Sequence, residues 1–115
     1  MSGAFNKSNR LLAKADFDRV FKKGLKNHGK YFLVVYSKNG QDIPRLGIAV
    51  SRKVSPRAVI RNRIKRQIRE AFRQNKSLVS GFDIVVIAKA PSASADNTIL
   101  HSSLTEHWRK LANDA

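Results

Sequence analysis

The positively charged segment from Arg57 to Arg73 is the part of the chain whose residue types point most clearly to a chemistry. It reads RAVIRNRIKRQIREAFR, with seven Lys or Arg side chains and one acid, Glu70. Rows of Arg on a helix repel one another, and solvent-facing helices usually mix charges of both signs. Six of the seven cations are Arg, whose planar guanidinium group binds phosphate through two parallel hydrogen bonds. The segment therefore predicts a surface that binds a polyanion.

The same segment has the spacing of an amphipathic helix. At about 100° per residue, Ile60, Ile64, Ile68 and Ala71 fall on one stripe, with Phe72 at its margin. We expect this stripe to face the core. The polar side chains of the remaining surface are the candidate polyanion-binding residues: Arg61, Asn62, Arg63, Lys65, Arg66, Arg69 and Arg73.

The composition of the whole chain supports a polyanion partner. Lys and Arg total 23 against 8 acids, which gives a net charge of +15 at pH 7, while 42% of the 115 residues are hydrophobic. That apolar content is ordinary for a folded protein, and the length suits one domain. Because so much like charge on a compact body repels itself, nucleic acid is the leading partner and an anionic membrane the second.

Several classes of site are not predicted. The chain has no cysteine, so disulfides and Cys-based zinc sites are excluded. Its three His are scattered and its eight acids form no plausible closely spaced catalytic pair, so we predict no catalytic residues and no metal ligands. The N-terminus lacks the apolar core of a signal peptide, and no apolar run approaches the roughly 18 to 20 residues of a membrane span. We expect a cytoplasmic protein without a membrane partner.

The other predicted elements must position the charged helix. Residues 1 to 8 are expected to form a flexible arm, and residues 9 to 115 a single domain. Gly47 and its neighbours two residues apart give the second predicted strand a shallow face that could accept a ligand's backbone. The predicted elements are a helix over 14–23, strands over 31–40 and 45–54 joined by a turn, the charged helix from about 56 to 76, an interior strand over 82–90, a loop over 91–97 and a helix over 98–112.

Four segments in order carry a resemblance to a known family. The segments ADFDRVFKKG, RLGIAVSRKV, AVIRNRIKRQIREAFR and FDIVVIAKAP closely resemble the protein subunits of bacterial ribonuclease P, over roughly residues 9 to 110. Arg61, Asn62 and Arg63 correspond to that family's RNR helix. The resemblance implies an α/β (α+β) two-layer sandwich, ribosomal protein S5 domain 2-like, in which a small mixed sheet is packed with about three helices. It also implies a left-handed crossover through the RNR helix, an exception to the usual right-handed rule.

The resemblance implies a function in RNA processing. The family's RNA subunit carries the catalysis, and the protein assists it in removing the 5′ leader from precursor transfer RNA. The implied partners are ribonuclease P RNA and precursor transfer RNA, with no obligate protein partner. Mg²⁺ is the implied cofactor, held mainly by the RNA. The seven candidate side chains of the charged helix would then contact the catalytic RNA, and residues 9–115 would be an RNA-binding domain.

A cleft between the first helix and the sheet is implied to hold the single-stranded leader. Phe17 and Phe21 match the family's aromatic positions; their spacing puts both rings on one helix face, which base stacking and core packing require equally, and spacing alone favours the core. Val35 occupies a position where relatives often have tyrosine, while Tyr36 points to the other face. The implied leader-binding residues are Phe17, Phe21, Val35, Arg52, Lys53 and Lys89.

Two other classes of protein compete with this interpretation. One is a structural RNA-binding protein, such as a ribosomal protein, although many of these have longer charged extensions. The other is a DNA-binding regulator that places the charged helix in a major groove. A band of Arg along the whole helix suits phosphates better than base edges. Comparing the salt dependence of binding to duplex DNA and to folded RNA would separate the classes.

Overall fold

The computed structural model describes residues 9–10 and 14–114. The predicted arm over residues 1–8 lies outside the described residues. A short 3₁₀ helix, Ala90–Ser94, occupies most of the predicted loop. The helices and strands are α1 (Lys14–Lys23), β1 (Leu25–His28), β2 (Phe32–Lys38), β3 (Arg45–Ala49), α2 (Ala58–Gln74), β4 (Phe82–Ala88) and α3 (Asn97–Asn113).

The four strands form one mixed sheet in the order β1-β2-β4-β3. The β1/β2 and β2/β4 pairs are antiparallel, while β3 and β4 are parallel. The helix α2 connects the two parallel strands, as the resemblance implies, and the handedness of this crossover stays a prediction. The strand β4 has a neighbour on each side, which confirms its predicted interior position.

The two strands predicted on either side of a turn, now β2 and β3, do not pair with each other. The strand β4 lies between them. All but one of the seven residues of β4, FDIVVIA, are buried. A strand this apolar buries the most surface at the centre of the sheet, where both of its faces are covered. The connection over residues 39–44 is also longer than the two residues of a tight hairpin.

The strand β1 was not predicted. Its sequence, LKNH, is short and mostly polar, with only Leu25 apolar. It is an edge strand whose backbone pairs with β2, from Leu25 opposite Tyr36 to His28 opposite Leu33. An edge strand needs no buried face, so periodicity carried no signal for it.

The helices cover both faces of the sheet. On one face, α2 and α3 pack over the main core, where Trp108 donates a hydrogen bond to the Ala71 carbonyl at 3.2 Å and its ring meets Phe72 edge-on. On the other face, α1 inserts Val20 against Val35 and Val85. The two outer surfaces of the molecule are therefore separated by the sheet.

Candidate nucleic-acid interface

The apolar stripe of α2 faces the core, as its spacing predicted. Ile64, Ile68, Ala71 and Phe72 are buried, and Ile60 is partly buried. The opposite side of the helix faces solvent. Asn62, Arg66 and Arg69 are exposed there, with Lys65 half-buried beside them. These four predicted polyanion-binding side chains therefore form a polar band on the solvent-facing side of α2.

Arg63, one of the candidate residues, points away from the centre of this band. Its guanidinium group donates to the carbonyls of Ala93 and Ala95, each at 3.1 Å, and to Asn97 Oδ1 at 2.9 Å. Arg61 similarly donates to the Ser55 carbonyl at 2.9 Å. These two arginines hold α2 against the segments before and after it. Charge alone could not distinguish such anchoring from phosphate binding.

A shallow groove at the C-terminal half of α2 collects further positive charge. Arg66, Arg69 and Arg73 line a space of about 240 Å³ with Arg10 and Glu70. Arg73 is paired with Glu70, so this acid offsets part of the charge. Arg10 reaches the groove because its backbone bridges to β3 at Leu46. Sequence reasoning missed Arg10, since nothing local to residues 9 and 10 predicts that bridge.

A second surface lies on the opposite face of the sheet, at α1. Val20 is fully buried, Phe17 is partly buried on Gly47, and Phe21 keeps 37% of its surface exposed. The cross-strand row that includes Val35, Val85 and Gly47 lies under this helix. One turn of helix thus supplies a core residue, a half-buried ring and an exposed ring.

The next row of the sheet lies beside α1, where it would form the floor of the cleft that the resemblance implies. His28, Leu33, Ile87 and Ala49 lie opposite one another across the four strands. Cross-strand partners share a face, and Leu33 and Ile87 pack beside Val20, so this row faces the α1 side. Its side chains are only partly buried or exposed. The floor is therefore apolar at its centre and open to solvent.

Positive charge lies at the end of the sheet where the parallel strands β3 and β4 finish. Arg52 and Lys53 are exposed in the turn after β3, and the half-buried Lys89 follows β4. Because β3 and β4 are parallel, their C-terminal ends meet at the same edge. Three of the predicted leader-binding cations therefore follow the ends of β3 and β4, just beyond the paired residues Ala49 and Ile87.

Ion pairs fasten α1 to the sheet. Arg45 donates to Asp83 through Nε at 2.8 Å and Nη2 at 2.6 Å, and its Nη1 lies 3.7 Å from Asp16 of α1. The hydrogen bond to the nearly buried Asp83 raises the pKa of Arg45. This network fixes the first turn of α1, and with it the position of Phe17, over the sheet.

Val35, proposed from the resemblance as a leader contact, has no exposed surface because it lies beneath Val20. It supports α1 from below and offers no surface to a ligand, so Val35 is not a leader contact.

Tyr36 points to the other face, as the strand alternation predicted, and its hydroxyl donates a hydrogen bond to Asp114. Burial, together with that bond, raises the pKa of Tyr36 to about 12.

The comparison with known families decides between the remaining classes. The sequence model of the family described as ribonuclease P matches residues 5–112 of the chain. The chain belongs to the ribonuclease P protein family. The curated relatives include the ribonuclease P protein component of Pseudomonas aeruginosa, 40% identical over 112 residues, which covers 96% of this chain and 83% of the relative. That of Nitrosococcus oceani is 40% identical over 104 residues, covering 90% and 87%.

Solved ribonuclease P proteins share the fold. A mutant of the Staphylococcus aureus protein, described as defective in mRNA degradation activity, superposes with a TM-score of 0.84 at 41% identity, covering 93% of this chain and 90% of that one. The Thermotoga maritima protein superposes with a TM-score of 0.79 at 39% identity, covering 88% and 96%. The predicted α+β class, a small mixed sheet packed with three helices, is therefore confirmed. Family membership makes the chain a protein component of a transfer-RNA-processing endoribonuclease with an RNA partner.

Neither a metal-ligand cluster nor a membrane-spanning helix lies within the described residues. Within residues 9–10 and 14–114, no three His, Asp or Glu side chains come together to hold a metal ion. No helix in this part of the chain is long and apolar enough to cross a membrane.

Proposed function

We propose that this ribonuclease P protein binds the catalytic RNA through α2 and the 5′ leader of precursor transfer RNA through the α1 cleft. The observation that carries the proposal is the placement of the two surfaces on opposite faces of one sheet. Ile64 and Ile68 fix α2 on one face, while Val20 fixes α1 on the other. A protein built this way can contact two RNA strands at once and reduce the repulsion between them.

The α2 surface binds the catalytic RNA through its phosphates. Arg66 and Arg69 are exposed one turn from each other, beside the groove that Arg10 enters. Arginine suits bidentate phosphate contacts, and each neutralised phosphate releases counterions. Asn62 and Lys65 extend the same surface toward the helix N-terminus. Arg61 and Arg63 act mainly by holding α2 in place.

The α1 cleft binds the leader as a single strand. Bases stack on the exposed ring of Phe21 and on the accessible edge of Phe17, above the apolar floor at Leu33 and Ile87. Phosphates reach the cations at the sheet edge: Arg52, Lys53 and Lys89. Such contacts tolerate many sequences, because every base has an aromatic face.

The RNA subunit carries the cleavage chemistry in this proposal, and Mg²⁺ is held mainly by that RNA. The described side chains of the protein supply cations and stacking surfaces, which position the leader and screen charge. The protein therefore assists cleavage by binding.

A three-component binding experiment tests the proposal. The protein is saturated with ribonuclease P RNA, and fluorescent precursor transfer RNA is then titrated in. We expect a ternary complex, with tighter binding of the precursor than of mature transfer RNA. If the catalytic RNA instead displaces the precursor from the protein, one shared surface binds both and the two-surface proposal fails.

A further inference from the structure

A third concave surface lies apart from α2 and outside the α1 cleft. The turn between β1 and β2 passes along the outer side of α3 and leaves a groove of about 370 Å³. The side chains that matter for its chemistry are Lys30, Tyr31, Ile99, Glu106, His107 and Lys110. A space of this size suits a single small ligand, such as one nucleotide.

A buried histidine lies at the base of the groove. His107 is only 5% exposed, and its Nδ1 has no hydrogen-bond partner within the described part of the chain. Gly29 crosses directly over the ring, since a Cβ there would be 2.7 Å from Nε2. Burial, with the nearby Lys110, lowers the pKa of His107 to about 4. The imidazole is therefore neutral at pH 7, with one nitrogen able to donate a hydrogen bond and one able to accept.

The walls combine flat apolar surface with two cations. Ile99 is 41% exposed on α3, and the half-buried ring of Tyr31 lies across from it on the turn. Lys30 Nζ is 5.4 Å from the centroid of that ring, and Lys110 lies on α3. Apolar walls with cations at the rim fit an aromatic ring that carries a phosphate.

We propose that this groove binds one nucleotide of single-stranded RNA, with its base between Tyr31 and Ile99 and its phosphate beside Lys30 and Lys110. The groove adjoins the basic edge of the cleft, because the Lys89 backbone N–H donates to the Tyr31 carbonyl at 2.9 Å. A leader leaving the cleft past Lys89 therefore reaches the groove next. The inference rests on the proposed function and extends the leader's path around the edge of the sheet.

The charge pattern favours RNA over an acidic peptide. Glu106 lines the groove on α3, one turn before Lys110. The same carboxylate can accept hydrogen bonds from the amino groups of a base. A nucleotide offers both a phosphate for Lys30 or Lys110 and base amino groups for Glu106, whereas the side chains of an acidic peptide offer only carboxylates.

Leader length provides the test. Precursor transfer RNAs with leaders lengthened one nucleotide at a time are titrated into the complex of the protein with ribonuclease P RNA. The variants are Ile99→Ala and Lys110→Ala. Their matched controls, Leu78→Ala and Lys38→Ala, remove an exposed apolar side chain and an exposed cation elsewhere.

Wild-type protein should gain affinity in a second step once the leader extends beyond the cleft. Ile99→Ala and Lys110→Ala should each lose roughly fivefold in affinity on long leaders and nothing on short ones. The controls should keep the step. Equal losses in variants and controls, or no second step, would overturn the groove while Phe21-dependent binding of short leaders still supports the cleft. If precursors with leaders of every length bind with the same affinity as transfer RNA without a leader, the proposed function is contradicted as well.

A crosslinking experiment identifies the occupant. A photoreactive 4-thiouridine is placed at successive leader positions, and crosslinked peptides are mapped by mass spectrometry. Distal positions should crosslink to the peptide containing Tyr31. Distal crosslinks to α1 alone would overturn the inference. The His107 NMR signals are also compared with each ligand added. If free adenosine monophosphate or oligoglutamate shifts these signals and the long leader does not, the inference is overturned as well.

Discussion

The ring of Phe17 lies directly on Gly47, so that a Cβ at residue 47 would be 2.5 Å from Cζ of Phe17. This contact places an aromatic ring of α1 on the backbone of β3, next to the open floor at Leu33 and Ile87. The shallow face predicted for β3 is thus occupied by the protein's own ring. The glycine sets how closely α1 approaches the sheet, and therefore the shape of the proposed leader cleft.

Substituting Gly47→Ala should displace Phe17 and distort the cleft. We expect a loss of about 1–3 kcal/mol in the free energy of unfolding, measured with urea. Affinity for precursor transfer RNA should fall more than affinity for mature transfer RNA. In the double variant with Phe17→Ala, the alanine no longer meets the ring. The loss in the free energy of unfolding of the double variant should then be smaller than the sum of the losses in the two single variants. Strict additivity would show that the ring and residue 47 do not interact.

Phe21→Ala should separate stacking from folding. Because 37% of the Phe21 surface is exposed, the free energy of unfolding should change little, whereas loss of a base-stacking ring should cost about 1–3 kcal/mol in precursor binding. Leu25→Ala removes another exposed apolar side chain, 59% exposed, and serves as the matched control. The measurement is the affinity ratio of precursor to mature transfer RNA. An unchanged ratio would remove Phe21 from the leader contacts.

The arginines of α2 should divide into two groups by their response to salt. For binding of the catalytic RNA, the logarithm of the affinity falls linearly with the logarithm of the salt concentration. Arg66→Ala combined with Arg69→Ala should make this salt slope shallower by about one to two units, since both side chains are exposed. Arg63→Ala should instead lower the free energy of unfolding, because its hydrogen bonds to Ala93, Ala95 and Asn97 are lost. Equal salt slopes for the wild type and the double variant would contradict the phosphate contacts.

His107 should make stability depend on pH in a known direction. Burial lowers its pKa to about 4, while the unfolded chain keeps a value of about 6.5. Between these values the unfolded state binds more protons, so the His107 contribution is complete above about pH 6.5 and is lost as pH falls toward 4. His107→Gln should flatten urea stability across this window, after carboxylate effects common to both proteins are subtracted. Identical pH profiles would show that His107 is not buried as described.

The sequence carried much of the fold. The helix α1 spans Lys14–Lys23 as predicted, α2 begins within two residues of its predicted start, and β4 is interior. These elements have strong apolar periodicity or a continuous apolar run. The strand β1 and the separation of β2 from β3 were missed, because both depend on backbone pairing between distant segments and leave no local pattern.

The candidate site was predicted only in part for a related reason. Charge and spacing identified the α2 surface, but they could not show that Arg63 is used to anchor the helix or that Arg10 approaches it. The spacing of Phe17 and Phe21 gave the same prediction for core and cleft, and the structure places Phe17 between the two. Val35 shows the limit of carrying a position over from relatives, since burial depends on the neighbouring Val20.

Reconstituted cleavage tests the central claim most directly. The purified protein is added to a bacterial ribonuclease P RNA at low Mg²⁺, and removal of the 5′ leader from a precursor transfer RNA is followed over time. We predict cleavage well above that of the RNA alone, no cleavage by the protein alone, and a smaller gain with the Arg66→Ala, Arg69→Ala double variant. If the protein binds its cognate ribonuclease P RNA but does not increase cleavage, the result would contradict the proposed function and indicate a structural RNA-binding protein instead.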